Sequence, residues 1–124
     1  MNEELMRRYY ATYNREDPEA LAAFYHPECQ LHSAQGSMQG RKEILDTYRY
    51  LVTAFEDRMT PLDIRVQGDT AEVDILDRFT AREDVADFMG QSLVAGESFE
   101  LKLKAHYRAE RGRFREIHIA LSPD

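Results

Sequence analysis

From Ala71 to Arg82 the chain changes character at every residue. Ala71, Val73, Ile75, Asp77, Phe79 and Ala81 fall on one side. Glu72, Asp74, Leu76, Arg78, Thr80 and Arg82 fall on the other. A period of two belongs to an extended strand, and it makes the first, apolar side the buried one. Asp77 is the exception on that side. A buried carboxyl is costly unless it is paired, hydrogen-bonded or lining a pocket. Asp77 is therefore the first candidate for a functional residue.

The second half of the chain holds more segments of the same kind. Leu62, Ile64 and Val66 alternate with Asp63, Arg65 and Gln67, and Gly68-Asp69 is a hairpin turn into the Asp77 strand. After a loop, Phe99, Leu101, Leu103, Ala105 and Tyr107 alternate with Glu100, Lys102, Lys104, His106 and Arg108. Arg111-Gly112 is a second tight turn. Beyond it Arg115, Ile117, Ile119 and Leu121 alternate with Phe114, Glu116, His118 and Ala120. Across strands, Glu72 and Asp74 can face Lys102 and Lys104, pairs worth a few tenths of a kcal/mol each, roughly.

The first half reads as helical. Asn2 caps a helix running to about Tyr13, whose stripe is Leu5, Met6, Tyr9, Tyr10 and Tyr13. Asp17-Pro18 is an N-cap and first helical residue of a short second helix, with Leu21, Phe24 and Tyr25 inward and Pro27 as its stop. Cys29 to Ser33 reads as a short strand and Gly36 to Gly40 as a turn or a second short strand. A third helix spans about Arg41 to Phe55 with Ile44, Tyr48, Leu51 and Phe55 along one side. This order predicts a single α+β domain over residues 1–124, with helices on one face of a mostly antiparallel sheet.

Composition narrows the classes. The 124 residues carry 43% hydrophobic and 31% charged side chains, a globular balance large enough for a core without disulfides. The net charge of -7 argues against nonspecific binding to nucleic acid or an anionic membrane. A lone cysteine, Cys29, forms no intrachain disulfide, and the start MNEELMRRYY has no signal-peptide core, so a cytoplasmic setting is expected. No histidine and cysteine spacing resembles a zinc site, there is no phosphate-cradling glycine loop, and Gly36-Ser37-Met38-Gln39-Gly40 is not a nucleophile elbow. No cofactor or metal is expected.

Several motifs together carry a family resemblance. Gly68-Asp69-Thr70-Ala71-Glu72-Val73 resembles the hairpin entry of SnoaL-like proteins. Asp87-Phe88-Met89-Gly90 and Ala95-Gly96-Glu97-Ser98-Phe99-Glu100-Leu101 resemble their loop between long strands. Tyr107-Arg108 with Arg111-Gly112-Arg113-Phe114 and Glu116 resembles their closing hairpin. Tyr25-His26-Pro27-Glu28, Leu31-His32 and Gly40-Arg41-Lys42-Glu43-Ile44 match the pattern before the third helix. The resemblance implies the nuclear transport factor 2-like α+β barrel, a curved, mostly antiparallel sheet wrapped around N-terminal helices to enclose a conical cavity. It implies a family of polyketide cyclases, ketosteroid isomerases, epoxide hydrolases and dehydratases, together with noncatalytic ligand-binding and assembly modules. Ala105 and Leu121 stand where cyclases often place a histidine and an acid. Asp77 matches an aspartate of the epoxide hydrolases, with Ile75 where they have an arginine.

In this setting Asp77 is the candidate acid/base, because an apolar pocket raises a carboxyl pKa toward neutrality. His32 is its candidate helper. It shares a side of its strand with Gln30 and Ala34, and in the resembling enzymes that side lines the cavity. Tyr13 and Tyr48, on helices that would roof the cavity, are candidate ligand-binding residues, as is Gln30. The function expected is binding of a small apolar organic molecule by a homodimer, with isomerisation, hydration, dehydration or cyclisation. The alternative is a noncatalytic ligand-binding or dimerisation module whose cone is plugged by Tyr9, Tyr10, Tyr13, Phe24, Tyr25, Tyr48 and Phe55.

Overall fold

The computed structural model describes residues 1–123. Three helices, α1 (Glu3–Asn14), α2 (Pro18–Ala22) and α3 (Arg41–Ala54), accompany eight strands. The strands are β1 (Tyr25–Ser33), β2 (Gly36–Gln39), β3 (Phe55–Gln67), β4 (Thr70–Ala81), β5 (Val85–Phe88), β6 (Gln91–Leu93), β7 (Ser98–Glu110) and β8 (Arg113–Leu121). Six form one curved sheet in the order β2-β1-β8-β7-β4-β3, and β5 and β6 form a separate hairpin. β1 runs parallel to β8, and every other neighbouring pair in the sheet is antiparallel.

The helix starts are those the caps dictate. Asn2 Oδ1 accepts from the Leu5 amide at 2.8 Å, and Asp17 Oδ1 accepts from the Ala20 amide at 3.1 Å with Pro18 next in line. Met6, Tyr9, Tyr10 and Tyr13 turn α1 into the sheet. The β4 alternation is as read: Ala71, Val73, Ile75, Asp77, Phe79 and Ala81 are all buried. Among the described residues no helix is long and apolar enough to cross a membrane.

Several boundaries and facing directions differ from the sequence reading. Pro27 does not end α2, because β1 already begins at Tyr25, and the proline sits where β1 loses register with β8. The loop before Ser98 contains the β5–β6 hairpin. Its Phe88 ring lies 4.6 Å from Phe55 and 5.2 Å from Phe79, which anchors the hairpin to the sheet. Phe114 points inward rather than outward, because a bulge pairs Ala109 with Phe114 and Arg108 with Glu116, leaving Arg115 as the extra residue.

The largest difference lies at the end of α3. The helix stops at Ala54, and Phe55 is extended at φ -137° and ψ 152°. β3 therefore starts at Phe55, and its first half buries Phe55, Asp57 and Met59. Pro61 pairs with Ile75 and Asp63 with Asp74, so Leu62 is a bulge residue without a partner of its own. The bulge reverses the parity of the strand. Odd positions face inward before it, Ile64 and Val66 are the half-buried positions after it, and Leu62 is 56% exposed rather than inward.

Because Leu62 is the extra residue, its deletion should join two halves that are already in phase. The shortened protein is expected to unfold cooperatively in urea with an unchanged m-value. A broad, noncooperative transition would mean instead that the curvature of the sheet needs the bulge.

Candidate active site

The paired register of β3 and β4 builds the centre of the site. Met59 faces Asp77 and Asp57 faces Phe79, so the two aspartates lie diagonally across the same inward surface. Asp57 is 3% exposed and Asp77 2%. α1 reaches the same point. The Tyr13 hydroxyl donates to Asp57 Oδ2 at 2.6 Å. Next to it, Asn14 Nδ2 donates to the Met59 carbonyl and Asn14 Oδ1 accepts from the Met59 amide, both at 2.8 Å. The Tyr48 hydroxyl of α3 donates to the Tyr13 carbonyl at 2.6 Å, which fixes α3 against α1.

Both carboxyls are pushed up in pKa. For Asp77 burial is the main cause, followed by its hydrogen bond to Asp57 and the Asp57 charge, and together they take it to about 10. Asp57 is raised by burial, while hydrogen bonds from Asp77 and Tyr13 work in the opposite direction and Glu16 adds to the rise. The donors around Asp57 favour its ionised form, so the pair loses its first proton there and Asp77 keeps the second. Between these two ionisations the pair holds one proton and one negative charge. The Oδ1 atom of each carboxyl has no hydrogen-bond partner in the protein.

The two carboxyls are part of the lining of a cavity of about 90 Å³. Tyr13, Tyr48, Leu51, Met59, Phe79 and Leu103 line it, and Met89 from the turn of the β5–β6 hairpin closes one edge. The cone is not fully plugged. Its other half is filled by aromatic rings, with Tyr9 and Tyr25 hydroxyls 2.7 Å apart and Tyr10 and Tyr107 hydroxyls 2.7 Å apart. Burial raises the pKa of all four well above the ordinary tyrosine value, so they act as neutral pairs.

Of the residues singled out from sequence, Asp77, Tyr13 and Tyr48 meet at this cavity and His32 and Gln30 do not. β1 gives its inward face to Cys29 and Leu31, which are buried, and this turns Gln30 and His32 to the opposite face. There the His32 ring stacks on His118 at 4.7 Å and shares a 2.8 Å hydrogen bond with Ser37. The expected Asp77–His32 partnership is thus replaced by Asp77–Asp57. Asp57 escaped the sequence reading because the apolar spacing of α3 runs on to Phe55. The available signal was the short alternation Phe55, Asp57, Met59. Among the described residues no group of three or more His, Cys, Asp or Glu side chains is placed to hold a metal ion.

Comparison with known proteins agrees with this geometry at the level of fold. The model of a family described as SnoaL-like domain matches residues 6–117. No curated protein matches the chain in sequence. A proposed polyketide cyclase from Xanthomonas campestris pv. campestris superposes with a TM-score of 0.82 at 16% identity, covering 96% of this chain and 88% of its own. A hypothetical protein of ketosteroid isomerase-like fold from Catenulispora acidiphila, in complex with trimethylamine, gives 0.79 at 13% identity over 99% and 88%. A proposed polyketide cyclase from Streptomyces antibioticus gives 0.75 at 22% identity over 94% and 88%.

The raised Asp77 has a consequence for stability. The folded protein keeps a proton that the unfolded chain releases above about pH 4, so the contribution of this group falls as pH rises from about 4 toward 10. Asp77→Asn is expected to gain on the parent protein between pH 5 and pH 8 in urea unfolding. A difference independent of pH would place Asp77 in contact with water. Tyr13→Phe removes a donor from Asp57 and should cost about 1–3 kcal/mol in the same assay at pH 7.

Proposed function

The chain belongs to the SnoaL-like domain family, and we propose that it binds a small, mostly apolar organic molecule in its cavity and moves a proton within that molecule. The observation that carries this reading is the pair of buried, mutually hydrogen-bonded carboxyls in the lining of the void. Isomerisation, dehydration and enol-based cyclisation all need one group to remove a proton from carbon and another to deliver one to oxygen. Asp57, ionised first and oriented by Tyr13, is the base. Asp77, which keeps its proton to about pH 10, is the acid. A single lone carboxyl would have to do both in turn, whereas the pair can act in one step.

The surroundings suit this chemistry. Apolar walls exclude water and strengthen the electrostatic effect of each carboxyl on a bound molecule. The Tyr13–Asp57 and Tyr48–Tyr13 bonds hold the base without a flexible loop between it and the helices. The structural neighbour solved in complex with trimethylamine supports a small organic ligand for a protein of this fold.

The test is hydrogen exchange at carbon. Small enolisable ketones such as 2-butanone and cyclopentanone would be incubated with the protein in D₂O and followed by proton NMR. Exchange above the buffer rate is expected, falling roughly 100-fold or more in Asp57→Asn and in Asp77→Asn. Exchange at the buffer rate with every ketone, or variants as active as the parent, would refute the acid/base assignment.

A further inference from the structure

The sign of the charge around the cavity is uniform. Its lining includes two carboxyls and no lysine, arginine or histidine. Beyond the lining, Glu16 acts on both Asp57 and Tyr48, and Asp17 acts on Tyr48, each in the direction of added negative charge. The nearby basic side chain of Arg82 is engaged by Glu16 at the surface. The protein as a whole carries a net charge of -7. A field of this sign repels an anionic ligand and draws in a cationic one.

The buried charge has the same sign. Asp57 and Asp77 are 3% and 2% exposed and are hydrogen-bonded to each other, and Oδ2 of Asp57 accepts from Tyr13. The negative charge that the pair retains has hydrogen bonds but no counter-charge in the lining. A hydroxyl ligand would supply one hydrogen bond and leave the charge uncompensated. An ammonium group supplies up to three donors and the charge. The rings of Tyr13, Tyr48 and Phe79 on the walls offer faces to the alkyl groups of such a cation. At about 90 Å³ the void is smaller than one of roughly 150 Å³ that takes benzene, so the buried part of the ligand has about four or five heavy atoms.

We infer that the ligand of this cavity is a small protonated amine, its N–H groups toward the Asp57–Asp77 carboxyl pair and its alkyl part against Tyr13, Tyr48 and Phe79. This rests on the reading of the cavity as a small-molecule site and specifies the polar end of the molecule.

Three tert-butyl probes test it: tert-butylammonium and tert-butanol, of one shape and different charge, and pivalate, a somewhat larger anion. Each would be titrated into isotope-labelled protein at pH 7, with the amide signals of Asp57, Met59 and Asp77 read by NMR. The ammonium is expected to bind at least about ten-fold more tightly than the alcohol, and pivalate not at all. In folded Asp57→Asn, which removes the charge of the pair, the ammonium affinity should drop toward that of the alcohol, whereas folded Asp77→Asn, which removes none at pH 7, should keep the preference for the ammonium. Alcohol binding as tight as the ammonium overturns the cation inference and leaves the small-molecule site standing. So does binding of pivalate, or an ammonium preference untouched in Asp57→Asn. No shift with any of the three overturns both.

Discussion

The end of α1 is tied to the first half of β3, and the interior is arranged around that junction. β3 is an edge strand, so its outward amide and carbonyl groups have no neighbouring strand. At Met59 the side chain of Asn14 takes both roles, donating to the carbonyl and accepting from the amide. One residue earlier on the helix, Tyr13 bonds Asp57, two residues earlier on the strand. The edge is thereby satisfied by a helix rather than by another chain at this point. The helix is in turn held at a depth where its tyrosines meet the sheet.

That junction explains how a costly group is tolerated. Two carboxyls in an apolar interior oppose folding, and neither is compensated by a basic side chain of the lining. The offset is supplied around them. The aromatic half of the cone packs Tyr9 against Tyr10, Tyr25, Tyr107 and Phe114 with ring centroids 4.9–5.9 Å apart. The hairpin side stacks Phe79 on Phe99 at 5.1 Å. Edge-to-face contacts of this kind add to the area buried by each ring. By contrast, the outer face is bound by exposed ion pairs centred on Arg65, with Asp63, Glu72 and Asp74, and pairs of this type contribute little to stability.

How far the sequence disclosed this depends on whether a feature is periodic or positional. The β4 alternation carried Asp77, its burial and its anomaly without any knowledge of neighbours. The caps at Asn2 and Asp17 are equally local and were equally legible. The SnoaL-like motifs supplied the topology, which no local rule would have. What was lost lies at changes of phase. The α3 stripe runs into β3 at Phe55, so a helical period and a strand period share a residue, and Asp57 fell in the gap. The bulge at Leu62 then reversed the parity of the strand, so the Ile64–Val66 alternation carried back along the sequence would turn Asp57 outward. For His32 the difficulty was different. Its strand is short, and the choice between Cys29 with Leu31 and Gln30 with His32 was drawn from the resembling enzymes, whereas the apolar pair takes the inside in this chain.

The division of the cone into a filled half and an open half limits where chemistry can occur. The tyrosine pairs Tyr9–Tyr25 and Tyr10–Tyr107 satisfy their hydroxyls mutually, so they offer a ligand no free donor without breaking a 2.7 Å bond. Tyr48 is likewise committed to a backbone carbonyl and Tyr13 to Asp57. Each of these tyrosine hydroxyls therefore serves the scaffold, and the buried polar atoms left unsatisfied beside them are the two carboxyl oxygens. Under the proposed function, such a site would not hold its ligand by a ring of polar contacts. It would select by shape along the apolar wall and by what one end of the molecule gives to the carboxyl pair. Specificity would then rest on two features that vary independently: the charge and donor count of that end, read by Asp57 and Asp77, and the length of the rest, which would meet Met89 of the hairpin turn in the lining of the void.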